Sequence, residues 1–129
     1  MAINKILQGL VKITESGEYT FSLSNNGMRV QNEQAITNVE EVYIIVENEN
    51  PLEVVINLPK ISDFNRGWNT KIYIVNKVKN QIILQTLVPT TIGEIQDSIY
   101  DWGTNSLNVS NRTSQWLHIV ENNLWYLSI

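Results

Sequence analysis

Lys71-Ile72-Tyr73-Ile74-Val75-Asn76-Lys77-Val78-Lys79-Asn80-Gln81-Ile82-Ile83-Leu84-Gln85 is the stretch on which the fold class turns. Its two ends are rich in β-branched and aromatic residues, which suit a pleated, half-buried surface. Its middle is polar and bounded by asparagine, the composition of a turn. The stretch reads as two short strands joined in a hairpin across Asn76 to Asn80. The same rhythm extends in both directions. Glu41 to Val46 is a strand, Glu47 to Pro51 a turn, and Leu52 to Leu58 a strand with Leu52, Val54, Ile56 and Leu58 on one face, stopped by Pro59. Nearer the start, Lys5 to Thr14 is a strand interrupted near Gly9. Tyr19 to Ser24 alternates with Tyr19, Phe21 and Leu23 on one face, and Asn25-Asn26-Gly27 signals a hairpin into Met28. Asn32 to Asn38 reads as a loop. Beyond Gln85 the chain turns at Pro89 and continues through a short strand over Thr104 to Ser110.

No segment carries a helical stripe, and no repeat of fixed period is evident. Short strands at roughly 8–12-residue spacing predict an all-β fold, an antiparallel β-sandwich or a jelly-roll-like barrel. A chain of 129 residues is expected to form a single β domain over 1–129. Within it, residues 1–50 form an N-terminal arm or small sheet and 51–129 a compact sandwich.

Ser114 to Ile129 reads as a terminal hairpin turning at Asn122-Asn123, because asparagine tolerates the positive φ of a tight turn. A plain two-residue loop sets Glu121 opposite Leu124, Val120 opposite Trp125, Ile119 opposite Tyr126 and His118 opposite Leu127. One face then carries Trp116, His118, Val120, Trp125, Leu127 and Ile129, the other Leu117, Ile119, Leu124 and Tyr126. Both faces are apolar, so both are expected to be covered, by the domain itself or by a neighbouring subunit.

Composition narrows the function classes. Hydrophobic residues make up 43% and charged residues 17%, with a net charge of -4 and an isoelectric point near 4.9. That balance argues against a nucleic-acid coat or a polybasic membrane binder. With no cysteine, disulfides, zinc-thiolate sites, iron–sulfur clusters and thiol nucleophiles are excluded. No apolar run approaches the roughly 20 residues that span a bilayer. Met1 to Leu10 has no apolar core of signal-peptide length, so the chain is expected to be made in a cytoplasm without a signal peptide.

Catalytic constellations are absent. His118 is the only histidine, and one histidine cannot make a His-rich metal site; it reads as a core or interface imidazole. Glu94, Asp97 and Asp101 match no calcium-loop spacing and read as solvated loop acids. No nucleophile elbow, phosphate loop, dinucleotide fingerprint or zinc-protease motif occurs. Catalytic, metal and cofactor-binding residues are therefore expected to be none. The aromatic residues are more informative. Trp68 and Trp102 lie in glycine-flanked loops, with Phe64 and Tyr100 close by in sequence. They fit a plug at one end of the sandwich, a subunit contact, or, for Trp68, Trp102 and Tyr100, a platform on which sugars stack. With Leu117, Ile119 and Tyr126 from the terminal hairpin they are the interface or ligand candidates.

Two segments together carry a family resemblance. Ile56-Asn57-Leu58-Pro59, Phe64-Asn65-Arg66-Gly67-Trp68-Asn69 and Lys71 to Val75 resemble a strand, "LP", loop, glycine, strand pattern in small β-domains of tailed-bacteriophage structural proteins. Trp116 to Tyr126 resembles the strand, turn and Trp-Tyr strand with which such domains end, Asn123 standing where glycine is usual. The resemblance covers about the last three-fifths of the chain, and residues 1 to 50 carry none. It implies a non-enzymatic virion role as a small capsid-decorating, head-fibre or tail-fibre component. Its partners would be capsid, fibre or sister subunits in a homo-oligomer, with neither nucleic acid nor membrane insertion. The alternative is a carbohydrate-binding module or fibre tip that contacts host-surface glycans.

Overall fold

A computed structural model describes residues 3–5, 10–24, 27–30, 41–63 and 70–128. The strands are β1 (Ile3–Lys5), β2 (Leu10–Ile13), β3 (Gly17–Ser24), β4 (Gly27–Val30), β5 (Glu41–Val46), β6 (Val54–Leu58), β7 (Lys71–Asn76), β8 (Ile82–Thr86), β9 (Ser98–Ile99), β10 (Ser106–Val109), β11 (Ser114–Glu121) and β12 (Leu124–Ser128). A 3-10 turn at Ile61–Asp63 is the only helical piece among the described residues. The all-β expectation holds.

The path of the chain is not the expected antiparallel one. The strands form two sheets, ordered β1-β2-β5-β7-β11-β12-β9 and β10-β8-β6-β3-β4. The chain runs from β2 to β3, from β5 to β6 and from β7 to β8, each time crossing from the first sheet to the second. β2, β5 and β7 pair in parallel, and so do β3, β6 and β8. This is a solenoid-like arrangement with coils of roughly 30 residues. The hairpin read across Asn76 to Asn80 is therefore a corner: β7 and β8 lie in different sheets and share no ladder. Antiparallel strands flank the parallel centre at both ends. β1 lies on β2 and β4 on β3, while β11 lies on β7 and β10 on β8.

The expected alternation is present, although the sheets are largely parallel. Parallel sheets covered on both faces read as continuous apolar runs. Here only one face of each sheet meets the core, so β5 and β7 alternate between buried and partly exposed positions. The register stacks the inward residues in rows. Val11, Ile44 and Ile74 form one row, and Val42, Ile72 and Leu117 a second. Tyr19, Ile56, Leu84 and Leu107 form a third in the opposite sheet. The buried members of all three rows belong to one core cluster, with Leu107 packed against it. Each fully buried aliphatic side chain contributes about 1.5–3 kcal/mol. The strands before Pro51 join the same sheets and the same core as those after it.

The terminal hairpin carries the second correction. Glu121 pairs with Leu124 as expected, and Asn123 takes the positive φ, at 63°. A β-bulge between Ile119 and Glu121 then shifts the register. Ile119 lies opposite Trp125, His118 opposite Tyr126 and Leu117 opposite Leu127. A one-residue slip moves every later side chain to the other face. Leu117, Ile119 and Trp125 point inward, each at 0% exposure. Trp116, His118 and Tyr126 share the outer face. The domain's own core covers the apolar side of the hairpin, so Leu117 and Ile119 are not available to a partner.

Candidate binding surfaces

The outer faces of the two sheets differ in chemistry. On the second sheet Thr20, Asn57 and Gln85 occupy one outward row. Asn57 Nδ2 donates to Thr20 Oγ1 at 2.9 Å and to Glu18 Oε2 at 2.7 Å, and Gln85 Nε2 donates to Asn57 Oδ1 at 2.7 Å. This polar ladder ties the coils together through hydrogen bonds among its own side chains.

The first sheet presents aromatic rings instead. Parallel register sets Tyr43 beside Tyr73, and antiparallel register sets Tyr73 beside Trp116. Tyr73 and Trp116 stack with centroids 4.4 Å apart, and Tyr43 meets Tyr73 and Trp116 edge-on at 5.9 and 5.7 Å. Such pairs contribute about 0.5–1.5 kcal/mol beyond their burial. Tyr43 Oη also donates to the Glu41 carboxylate, and Tyr73 Oη to Ser114 Oγ at 2.8 Å. The Glu41 bond raises the Tyr43 phenol above its ordinary pKa. Along the chain these rings are far apart, and only strand pairing, parallel for Tyr43 with Tyr73 and antiparallel for Tyr73 with Trp116, makes them neighbours.

His118 borders this row between Lys71 of β7 and Tyr126 of β12. Its Nε2 is buried with no hydrogen-bond partner. Desolvation first, and the Lys71 ammonium second, hold its pKa below the ordinary histidine value. The unfolded chain therefore takes up the proton before the folded one does. Stability attributable to His118 is present above about pH 6.5 and is lost as pH falls through the histidine range. His118→Asn is expected to flatten the fall in urea midpoint between pH 8 and pH 5 relative to wild type. Parallel pH profiles of the two proteins would contradict this.

The three loop acids do not form a site. Glu94 pairs with Lys60 at 2.9 Å. Asp101 accepts from the Trp102 amide at 2.9 Å. Asp97 departs from the expectation of a solvated loop acid: it is buried, at 7% exposure. Its Oδ2 accepts from the Ile61 amide at 2.9 Å and its Oδ1 from Asn123 Nδ2 at 3.0 Å. Its backbone carbonyl accepts from Thr86 Oγ1 at 2.7 Å and from Asn105 Nδ2 at 2.9 Å. Both carboxylate oxygens are thus turned to structural work. No group of three or more potential metal ligands occurs among the described residues.

Asp97 anchors the segment that carries most of the exposed large apolar surface. Val88, Ile92 and Ile95 are 72%, 103% and 67% exposed, and Tyr100 and Trp102 are 70% and 58% exposed. The tip is a tight turn. Tyr100 sits at φ 70°, its amide donates to the Trp125 carbonyl at 2.9 Å, and the Gly103 amide donates to Ser98 Oγ at 3.0 Å. Tyr100 and Trp102 are thus held outward by a fixed backbone, as either the subunit-contact or the sugar-platform expectation requires; Trp102 does not plug an end of the core. Tyr126 is exposed at 37% on the outer face of the first sheet. Phe64 and Trp68 lie outside the described residues.

Sequence reasoning missed the Tyr43, Tyr73 and Trp116 row, the structural role of Asp97 and the apolar run Val88, Ile92 and Ile95. The last was legible as isoleucine and valine among turn residues, a place where burial is not expected. No family model, no curated protein and no solved structure matches this chain.

Proposed function

We propose that the chain is a non-catalytic structural protein of a tailed-bacteriophage virion, of the capsid-decorating or head-fibre type. It would bind capsid or sister subunits through the 88–102 segment. The carrying observation is that this segment exposes Val88, Ile92, Ile95, Tyr100 and Trp102 from a backbone pinned by Asp97 and the Lys60–Glu94 pair. Apolar side chains held in place lose little entropy when a partner covers them, so more of the burial free energy reaches the complex. At about 25 cal/mol per Å², a few hundred Å² of apolar contact supplies several kcal/mol before association costs. Repetition over a lattice turns modest contacts into firm attachment.

The test is the double substitution Ile92→Asp with Ile95→Asp. These positions are exposed, so the unfolding free energy from urea denaturation is expected to stay within about 0.5 kcal/mol of wild type. Self-association by light scattering, or attachment to capsids lacking the protein, is expected to fall at least tenfold. A wild-type chain that is strictly monomeric and does not attach to particles would sink the reading.

The second reading is a carbohydrate-binding module or fibre tip, with Tyr100 and Trp102 as a stacking platform. Two outward aromatic residues on one rigid turn favour it, because sugar C–H faces pack on such rings. Glycan-array binding lost in Trp102→Ala, with particle attachment intact, separates it from the first.

A further inference from the structure

The corner between β7 and β11 holds a feature that neither reading uses. A shallow groove of about 340 Å³ opens there, bordered by Tyr73, Lys77, Arg112, Thr113 and Ser114. From these residues we infer that the groove is a binding site for an anionic saccharide, its acid group held by Arg112 and Lys77.

Arg112 is the first reason. It occupies the left-handed region at φ 58° in the turn from Ser110 to Thr113. That conformation suits glycine or asparagine and costs an ordinary side chain roughly 1 kcal/mol or more. The neighbouring Asn111 would fill the position at lower cost, yet arginine occupies it. The turn is also fixed from beneath. Thr113 Oγ1 donates to the Ser110 carbonyl at 2.7 Å, and the buried Asn76 Nδ2 donates to the carbonyls of Val109 and Ser110 at 3.1 and 3.2 Å. The Asn76 amide donates to the Thr113 carbonyl at 2.8 Å. The backbone that carries Arg112 is thus fixed, and its exposed guanidinium is left able to bind an anion.

Charge is the second reason. Among the described residues, Lys12 and Lys77 share a single partner, Glu47, at 3.0 and 3.8 Å. Arg112 is exposed and has no ion-pair partner among them. This corner therefore carries surplus positive charge on a chain whose net charge is -4. Arginine and lysine together suit a carboxylate or phosphate, the first by its planar fork and the second as a point charge.

The rest of the wall selects a sugar over a bare anion. Tyr73, stacked on Trp116, supplies aromatic surface; Thr113 Oγ1, whose proton goes to the Ser110 carbonyl, can accept from a ring hydroxyl, and Ser114 Oγ, which accepts from Tyr73 Oη, can donate to one. The groove is at the small end of ligand sites, the size for one or two sugar rings. This site is separate from the Tyr100 and Trp102 platform and does not depend on the proposed virion role.

The test uses the full chain and saturation-transfer NMR with glucuronic acid, N-acetylneuraminic acid and glucose 6-phosphate. Glucose serves as the neutral control and inorganic phosphate as the bare anion. Saturable binding of at least one sugar acid is expected, at least tenfold tighter than glucose or inorganic phosphate. The carboxylate and phosphate sugars tell which acid the fork prefers. Arg112→Gly suits the left-handed turn, so its melting temperature should hold or rise while sugar-acid binding falls at least tenfold. Lys77→Gln should weaken binding less. No saturable binding, glucose or inorganic phosphate bound as tightly as the sugar acids, or full affinity in Arg112→Gly would overturn the assignment.

Discussion

Asn76→Ala is expected to destabilise the protein by about 3–4 kcal/mol. Asn76 is 1% exposed, the last residue of β7, and lies beside Val46 in the parallel ladder. Its position faces the core, where its neighbour in the previous coil is aliphatic. The amide is there because the corner needs it. Its Oδ1 accepts from the buried Val78 amide at 3.0 Å. Its Nδ2 shares two hydrogens among the carbonyls of Asn80, Val109 and Ser110, at 2.9, 3.1 and 3.2 Å. Alanine removes the acceptor of the buried Val78 amide and the donor to the Val109 carbonyl, and such losses are costly where water does not replace them. The same substitution frees the turn beneath Arg112, so sugar-acid binding should weaken as well. Urea denaturation measures the first effect. A loss under about 1 kcal/mol would mean that the corner is held by strand pairing alone.

The second large effect is expected at Asp97. Replacement by alanine removes the acceptors of the buried Ile61 amide and of Asn123 Nδ2, while the bonds made by its backbone carbonyl remain. Hydrogen bonds to a charged acceptor contribute about 1.5–3 kcal/mol each, so a loss of roughly 3 kcal/mol is expected. Asp97→Asn should lose about half as much, because its amide oxygen can still accept from Ile61 but its amide nitrogen would face the Asn123 donor. Limited proteolysis should then cut the 88–103 segment faster in Asp97→Ala than in wild type at equal folded fraction. Unchanged cleavage would show that the Lys60–Glu94 pair and the turn bonds hold the segment without Asp97. If partner binding needs a rigid segment, Asp97→Ala should also lower attachment at temperatures where the chain remains folded.

Strand positions were largely legible in the sequence. Glu41 to Val46 is a strand with the expected bounds, and Leu52 to Leu58 loses only its first two residues. The β3–β4 hairpin also forms, with Ser24 opposite Gly27. These elements announce themselves because alternation reports which side chains are buried, and burial of one face is a local demand on the sequence. Partnership is not local. Lys71 to Val75 and Gln81 to Gln85 alternate in the same way whether they fold onto each other or onto strands a coil away. Turn composition did not separate the cases either, since a solenoid corner and a hairpin loop both call for polar residues and asparagine. Corners of unequal length, Thr14 to Ser16 against Glu47 to Glu53, concealed the repeat.

The terminal hairpin divides in the same way. Its two strands, its turn and the tolerance of Asn123 for positive φ follow from residue chemistry. The bulge at Val120 does not, because it satisfies two demands at once: Leu117 must meet the core beside Ile72, and Trp125 must meet it across the turn. With an extra residue in β11 both point inward, and the aromatic side chains of Trp116 and Tyr126 turn outward together with His118.

By itself, then, the sequence determined an all-β chain with an aliphatic interior, asparagine-rich turns and no cysteine or His-rich chemistry. Each of those is a property of residues and their immediate neighbours. Tertiary structure alone decided which strands pair, which face of the hairpin is buried, and which distant residues meet. Tyr43, Tyr73 and Trp116 form one row, Asp97 reaches both Ile61 and Asn123, and Arg112 and Lys77 border one groove, because parallel coils and the antiparallel strands beside them bring together residues that chain distance keeps apart.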